Sequence, residues 1–410
     1  MTFYLDLHVH SPFSSGASPN ISLFGLAKVA RIKGISIVGT GDCLHPQMIE
    51  EINDLEEDDE LLYFPEVEEA RFIPSVEINC KWNKGKQSHI LLVMRRNDIE
   101  VVRGKLKLYG NLDNNGRPDI ALEPRELTET IKTISPNILV IPAHALTPWF
   151  GFLGSRNNLT IPEIVGQIEG MDAIETGLSA DRAMYQQLEI LDNYPLVSFS
   201  DAHSVSKLGR EVTMITLNVK EELTYDDVIF ALRASPETLE HIPQLGKYYY
   251  DGCRACGYSQ YPKAKDTKCP QCGKNYTLGT LNRTKRLSHG AKREVEVKDH
   301  YIIPLYEILD KFYGKDSKDI YQYLTSHNTE LEITSGNVWL DTEDKTLNDV
   351  FSLIHYINRG KLIVTPGYDG IFGKWEDPLT EIKKANGDKF KALYEQYFKE
   401  EVNYVKEKSI

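Results

Sequence analysis

Three observations in the sequence predict an α/β fold with two appended modules. Short β-rich runs alternate with helical patterns from the N-terminus to about residue 240. Four cysteines then fall within twenty residues as two CxxC pairs, and from about residue 298 helical patterns dominate. Alternation of the first kind predicts a mainly parallel sheet whose strands are joined by helices. Roughly seven β/α units in ~240 residues suit a closed or nearly closed barrel better than a long open sheet. The expected divisions are a barrel over 1–242, a cysteine-bearing module over 243–282 and a helical C-terminal domain over 283–410.

The β-rich runs, in order, are 3–9, 35–39, 72–78, 89–94, 138–141, 171–174 and 196–199, with a further one at 212–219 directly after the last. Helical patterns lie among them at 21–33, 46–57, 99–109, 124–134, 161–168, 180–191 and 225–234. After Pro243 the composition changes, and Lys247-Tyr-Tyr-Tyr250 leads into a segment rich in Gly, Lys and Arg. Beyond it helices are expected at 304–313, 319–326, 347–359 and 383–406. The acidic run 50–60 reads as a solvated helix face or loop.

Composition sets outer bounds. A chain of 410 residues is too long for one ordinary domain. With 41% hydrophobic and 26% charged residues it has the makings of a sizeable core, which excludes wholesale disorder. No stretch approaches the ~18 consecutive apolar residues of a membrane span. Asp6, His8 and His10 stand where a signal peptide needs a basic start and an apolar run, so a cytoplasmic location is expected. A net charge of −13 argues against a protein that coats nucleic acid over its whole surface, while leaving room for a local basic patch.

His8 and His10 are two apart on the first expected strand, so their side chains leave the same face, which Asp6 shares. Two imidazoles side by side at a strand end can grip one metal ion. Asp42 follows the 35–39 run, Glu77 lies at the end of 72–78, His144 stands just past 138–141, and Asp201 and His203 follow 196–199. Functional side chains of α/β barrels come from the C-terminal ends of strands, so these groups are expected at one mouth. His89 opens its strand, and joins them only if that strand runs antiparallel or the ligand sits inside the barrel. Mixed carboxylates and imidazoles suit Zn, Mn or Fe better than Mg or Ca. Glu77 could bridge two ions, and a two-metal centre suits in-line attack on phosphorus. The other histidines read as surface or packing residues, with His45, three residues after Asp42, nearest to the set.

Cys253-Arg-Ala-Cys256-Gly and Cys269-Pro-Gln-Cys272-Gly give a C-x2-C-x12-C-x2-C pattern with glycine after each pair. Four thiolates at that spacing suit one tetrahedral structural zinc, and each glycine allows the tight knuckle turn. Such a site has no open position, so it folds the segment and does not catalyse. Between Cys253 and Arg293 there are ten Lys or Arg residues against Asp266 alone, a local excess of nine positive charges. Arg254, Lys274, Arg283, Lys285 and Arg286 are the candidates from this set for contact with a phosphate backbone. Near the end, Pro366-Gly-Tyr-Asp-Gly-Ile-Phe-Gly-Lys374 is a turn-rich stretch suited to close approach to a ligand or another chain segment.

In order along the chain, Asp6-Leu-His-Val-His-Ser11, Gly39-Thr-Gly-Asp42, Val76-Glu77-Ile78, Ser88-His89-Ile90, Pro142-Ala-His144 and Ser200-Asp-Ala-His203 resemble the motifs of the PHP (polymerase and histidinol phosphatase) superfamily. The resemblance covers roughly residues 1–235. It implies a distorted seven-stranded β/α barrel of PHP type whose metal centre hydrolyses phosphoesters, with ligands among His8, His10, Asp42, Glu77, His89, His144, Asp201 and His203. Phe13-Ser-Ser-Gly16 lacks a histidine that many members carry, and Asp42-Cys43 stands where many have another. Both departures touch the third metal, so two divalent ions (Zn, Mn or Mg) are expected, three being the alternative.

The whole-chain order of barrel, four-cysteine zinc ribbon and helical domain resembles the endonuclease Q family of DNA repair enzymes. Glu175-Thr-Gly-Leu-Ser-Ala-Asp181 and Pro366-Gly-Tyr-Asp-Gly370 share in the resemblance. It implies nicking of DNA 5′ of deaminated bases (hypoxanthine, uracil, xanthine) and abasic sites, leaving 3′-hydroxyl and 5′-phosphate ends. In that reading Asp201, His203 and Glu77 are catalytic through metal-activated water, and Gly177, Leu178 and Ser179 form part of a base pocket. A sliding clamp is a further partner to consider, although residues 403–410 carry no clamp-binding motif. The alternative is a phosphoesterase of the same superfamily acting on a small phosphorylated metabolite, against which the basic excess counts. A non-catalytic binding module is disfavoured by the ligand set, since buried acids and imidazoles without metal are costly.

Overall fold

The computed structural model describes residues 1–217, 223–261, 268–290, 293–294, 301–338, 345–360 and 362–376. The helix expected at 383–406, the tail 403–410, and Lys263, Lys265, Asp266 and Lys292 lie outside the described residues. Among the described residues no helix is long and apolar enough to cross a membrane.

Strands Thr2–Asp6, Ile37–Gly39 and Val67–Ile73 pair in parallel, with Leu5 opposite Ile37 and Val38 opposite Phe72. At Pro74, which has no N–H for a ladder, the chain turns into a separate strand, Ser75–Trp82. The single run expected at 72–78 is therefore two strands. Lys86–Val93 returns antiparallel to Ser75–Trp82, with Asn79 opposite His89, and Leu139–Pro142 is antiparallel to Lys86–Val93. That this strand runs antiparallel, one of the two ways in which His89 could join the set, has a simple reason. Only Asn83–Gly85 separates it from its predecessor, and a hairpin fits that length where a crossover does not.

Ile174–Glu175 and Leu196–Val197 form a parallel pair, tied to the preceding strand by Asp172 N–H donating to the Val140 carbonyl at 3.0 Å. Ala202 bridges Val9 and brings the ring back to its start. The result is the distorted β/α barrel that the sequence predicts. Val212–Thr216 and Glu237–His241 extend it antiparallel from Thr2–Asp6.

Local chemistry sets the helix ends. Ser22 caps Leu23–Lys33 by accepting from Gly25 N–H, and Thr160–Glu163 and Thr224–Asp227 form reciprocal capping boxes. The helix expected at 180–191 is only the short Arg182–Tyr185, capped by Asp181, followed by a 3₁₀ turn at Glu189–Leu191. The extended backbone of Leu188 breaks the two apart. The acidic run holds an edge strand, Glu56–Asp58, after the helix Pro46–Asn53.

Beyond the barrel, Asp251–Cys253 and Tyr258–Gln260 make a small hairpin, and helix Thr280–Leu287 runs across the residue 282/283 division. Helices Leu305–Tyr313, Ser317–Thr325, Glu330–Thr334 and Lys345–Asn358 gather round Ile303, Ile308, Phe351 and Ile354.

One buried carboxyl makes the barrel pH-sensitive. Burial, reinforced by the nearby Asp181, pushes Glu240 up to about 7, although its oxygens accept from Arg182 N–H at 3.0 and 3.2 Å. A carboxyl raised above its unfolded value favours the fold in its protonated form. That contribution is present below about pH 4 and is lost as pH rises through about 7, by about 3 kcal/mol in total. Glu240→Gln, which removes the charge and keeps an acceptor, is expected to raise the thermal midpoint at pH 8 by several degrees and to change it little at pH 5. Calorimetry at the two pH values checks this, and an equal shift at both would refute it.

Candidate metal centre

The barrel strands deliver two triads to one place. His8, His10 and Asp201 offer ligand atoms that lie within 4.8 Å of one another, and so do Glu77, His89 and His144. The triads adjoin. His8 Nε2 is 3.5 Å from Glu77 Oε1 and 3.6 Å from Asp201 Oδ1, while His10 Nε2 is 3.5 Å from Glu77 Oε2 and 3.0 Å from Asp201 Oδ1. Glu77 Oε1 is 2.7 Å from His89 Nδ1 and 3.1 Å from His144 Nε2. His89 joins because its strand is antiparallel. Three of the expected site residues, Asp42, His144 and Asp201, hold left-handed backbone with φ of 48°, 32° and 48°. Residues other than glycine adopt that region at a cost, and such strain gathers at functional sites.

Buried atoms in this cluster fit a cation. His8 Nδ1 lies 3.0 Å from both oxygens of Glu175, which leaves its Nε2 buried without a hydrogen-bond partner and facing Glu77 and Asp201. His10 is arranged alike, its Nδ1 held by Ser14 Oγ at 3.2 Å and its Nε2 turned inward. Burial alone would raise the Glu77 carboxyl, yet the imidazoles packed around it hold it well below the usual range. Burial likewise opposes ionisation of Asp201, and His8 and His10 hold it anionic. Burial lowers His89 to about 4, leaving its imidazole neutral, the form that binds metal. One buried carboxylate, Glu77, and one at the cleft, Asp201, ringed by four imidazoles, are a divalent-cation donor set in which a metal would displace the protons that His8 and His10 otherwise hold.

Not every expected ligand is in the triads. The Asp42 carboxylate sits behind His10, accepting from Ser11 N–H at 2.9 Å, Ser11 Oγ at 2.5 Å and Ser14 Oγ at 2.9 Å. It lies 3.6 Å from His10 Nδ1 and outside both triads, so here it braces the His10 side chain. His203 also falls outside both triads, with Nδ1 3.0 Å from the Asp201 carbonyl and its ring 4.3 Å from that of His10. Asp6 accepts from Ser200 and Gly209 N–H groups and is structural. His45 stacks on Phe13.

The triads open into a cleft of about 790 Å³, lined also by Gly177, Leu178, Ser179, His203 and Arg254. Gly177 has φ 73°, and a Cβ there would stand 2.5 Å from His144 Cβ, so only glycine lets this loop close on the centre. A second cluster lies in the hairpin. Sγ of Cys253 is 3.6 Å from that of Cys272, and Sγ of Cys256 is 3.5 Å from that of Cys269. All four sulfurs lie within 4.8 Å, and the knuckle glycines Gly257 and Gly273 have φ of 75° and 69°. These separations suit a tetrahedral zinc site.

No family model matches the chain. It is 33% identical over 145 residues to an uncharacterised protein of Methanocaldococcus jannaschii, a match that covers 35% of this chain but spans only 16% of that protein's length. It is 27% identical to the uncharacterised protein YqxK of Bacillus subtilis, over 90% of this chain and 98% of the relative. Among solved structures it is similar to the lesion-specific endonuclease PfuEndoQ from Pyrococcus furiosus, at 27% identity and TM-score 0.78, covering 96% of this chain and 99% of the other. It is similar at 26% identity and TM-score 0.78 to endonuclease Q in complex with a 27-mer duplex carrying an abasic lesion at the active site, over 95% and 100% of the two chains. The fold is that of endonuclease Q.

Within this endonuclease Q fold the basic candidates separate. Arg254, between two zinc-site cysteines, lines the cleft, its N–H and Nε both donating to Asp369 at 2.7 Å. Lys274 is exposed, Lys285 Nζ reaches Tyr261 Oη at 2.7 Å, and Arg286 is half-buried beside Asn282. Arg283 is a correction: it is buried and donates to the carbonyls of Leu153 at 2.6 Å and Leu159 at 2.8 Å, which fastens its helix to the barrel. Sequence reasoning gave no role to Glu175, although it ends a strand as Glu77 was expected to. It also missed Arg117, whose Nη1 donates to Glu77 at 3.1 Å, and Lys207, Arg210 and Lys247 on the cleft wall. These come from loops and, for Lys207, a single 3₁₀ turn, where no periodicity marks them.

Proposed function

We propose that the protein is a metal-dependent endonuclease that nicks DNA on the 5′ side of deaminated bases and abasic sites, leaving 3′-hydroxyl and 5′-phosphate ends. The observation that carries this reading is the opening of two adjoining His/carboxylate triads into a cation-lined cleft, in a chain similar along nearly its whole length to an endonuclease Q solved on an abasic-lesion duplex.

His8, His10 and Asp201 would hold one divalent ion and Glu77, His89 and His144 a second, with Zn or Mn best matched to the donors and Mg the weaker fit. Such ions supply Lewis acidity, lowering the pKa of a water and offsetting the charge of the scissile phosphate. Glu77, within reach of both triads, would serve either ion, and Glu175 would orient the His8 ring toward the first. His203, half-exposed at the mouth, is the group placed to move a proton to the leaving oxygen. The lesion nucleotide leaves the stack, at a cost of a few kcal/mol that is least for damaged or mispaired bases. Gly177, Leu178 and Ser179 would receive it. Arg254, Lys274, Lys285 and Arg286 would follow the phosphate backbone, making affinity fall with salt.

End-labelled duplexes that differ by a single deoxyinosine, deoxyuridine or abasic site, incubated with Mn, Mg, Zn or chelator, test the reading. A metal-dependent nick 5′ of the lesion, absent from undamaged DNA, is expected. No cut with any metal, together with intact hydrolysis of a small phosphomonoester, would replace it with the metabolite phosphatase.

A further inference from the structure

We propose that Trp149 and Phe372 are base-stacking residues, the aromatic platforms on which the cleft holds unstacked nucleobases; the inference rests on the DNA reading above. A lone exposed aromatic is ordinary on a protein surface. These two are set apart by where they open. Trp149 is 40% exposed and Phe372 50% exposed, they come from distant parts of the chain, and both line the cleft that holds the metal centre.

Each ring has one face occupied by a cation. The Arg156 guanidinium sits 4.0 Å over Trp149, and Lys247 Nζ sits 4.7 Å over Phe372. With a cation over one face and 40% and 50% of the two residues exposed, each offers apolar surface to the cleft beside a positive charge. A nucleotide presents the complement, a flat base joined to an anionic phosphate, and every base has such a face whatever its sequence.

Both rings stand on fixed backbone. Thr147 N–H donates to the His144 carbonyl at 2.9 Å, and Arg156 N–H to the Pro148 carbonyl at 3.2 Å. Next to Trp149, Phe150 stacks on His89 at 4.6 Å between centroids, and its carbonyl accepts His89 N–H at 2.8 Å. The Trp149 loop is thereby registered to a candidate metal ligand. On the other side, Gly373 N–H donates to the Leu245 carbonyl at 3.0 Å and Ile371 N–H to the Tyr368 carbonyl at 2.8 Å, which holds the Phe372 turn.

The test measures affinity and single-turnover rate for the full chain, Trp149→Ala, Phe372→Ala and the conservative Trp149→Tyr, on duplexes carrying deoxyinosine or an abasic site. Thermal midpoints matched to the unaltered protein establish that each variant is folded. Each alanine variant is expected to weaken binding about tenfold, with Trp149→Tyr within about twofold of the unaltered protein. Loss on deoxyinosine alone assigns the ring to the lesion base; equal loss on both assigns it to a neighbouring base. Unchanged affinity of the alanine variants on both duplexes would overturn the proposal, and so would a tyrosine variant as weak as alanine. If the unaltered protein neither binds nor cuts either duplex, the DNA reading itself fails, a result distinct from those two.

Discussion

Asp201→Asn is expected to lower the rate of strand cleavage on the order of a thousandfold while leaving the thermal midpoint nearly unchanged. Asparagine is the informative replacement because Asp201 holds φ 48°, a region that asparagine tolerates and alanine does not. The backbone turn therefore survives, braced by Arg210 donating to the Ser200 and Asp201 carbonyls at 2.8 and 3.2 Å. What is lost is the anion facing His8 and His10, and with it one side of the first triad. Single-turnover kinetics paired with elemental analysis checks the outcome. A variant that cuts at the normal rate would remove Asp201 from the mechanism.

Cys269→Ser should produce the second large effect. The apolar core of the ribbon is small: among the described residues it is Cys253, Cys269, Tyr276 and Leu278. So little apolar surface cannot offset the entropy of ordering the segment, and metal coordination must supply the difference. The variant is expected to bind one zinc fewer per chain and to unfold in a separate, lower-temperature step. Arg254 lies between the first two cysteines and is held by Asp369, so loss of the knuckle also releases a cationic wall of the cleft. DNA affinity should fall by about tenfold or more, whereas hydrolysis of a small activated phosphodiester should persist. Parallel loss of both activities would place the ribbon's influence inside the metal centre.

Much of the barrel was legible because periodicity is a property of local sequence. Pro124–Ile134 and Ile161–Ile168 form with the boundaries that their patterns predict. The four-cysteine site was equally plain, since spacing alone specifies a tetrahedral cage. Strand direction was not. The expected runs at 72–78 and 89–94 left a gap long enough to hide the hairpin, whereas the strands reach Trp82 and Lys86, and that pairing decides which way His89 points. The setting of Asp42 was not legible, because a carboxylate near a histidine looks the same in sequence whether it faces the centre or braces the ring from behind. Arg283 looked like part of a basic face, and only three-dimensional packing reveals that the Leu153 and Leu159 carbonyls take its charge.

The seam between barrel and ribbon has a practical consequence. Ser179, on the loop expected to receive a base, accepts Tyr248 N–H at 3.2 Å through its hydroxyl, and its carbonyl accepts the Thr280 hydroxyl. Lys247, Tyr248, Arg254, Asp369 and Phe372 complete the cleft wall. A fragment ending at the barrel's last strand would therefore carry every residue of the two His/carboxylate triads and still lack one wall of the cleft. Any piece worth expressing must extend past Phe372, and exchanging ribbons between relatives would transplant part of the cleft wall along with them.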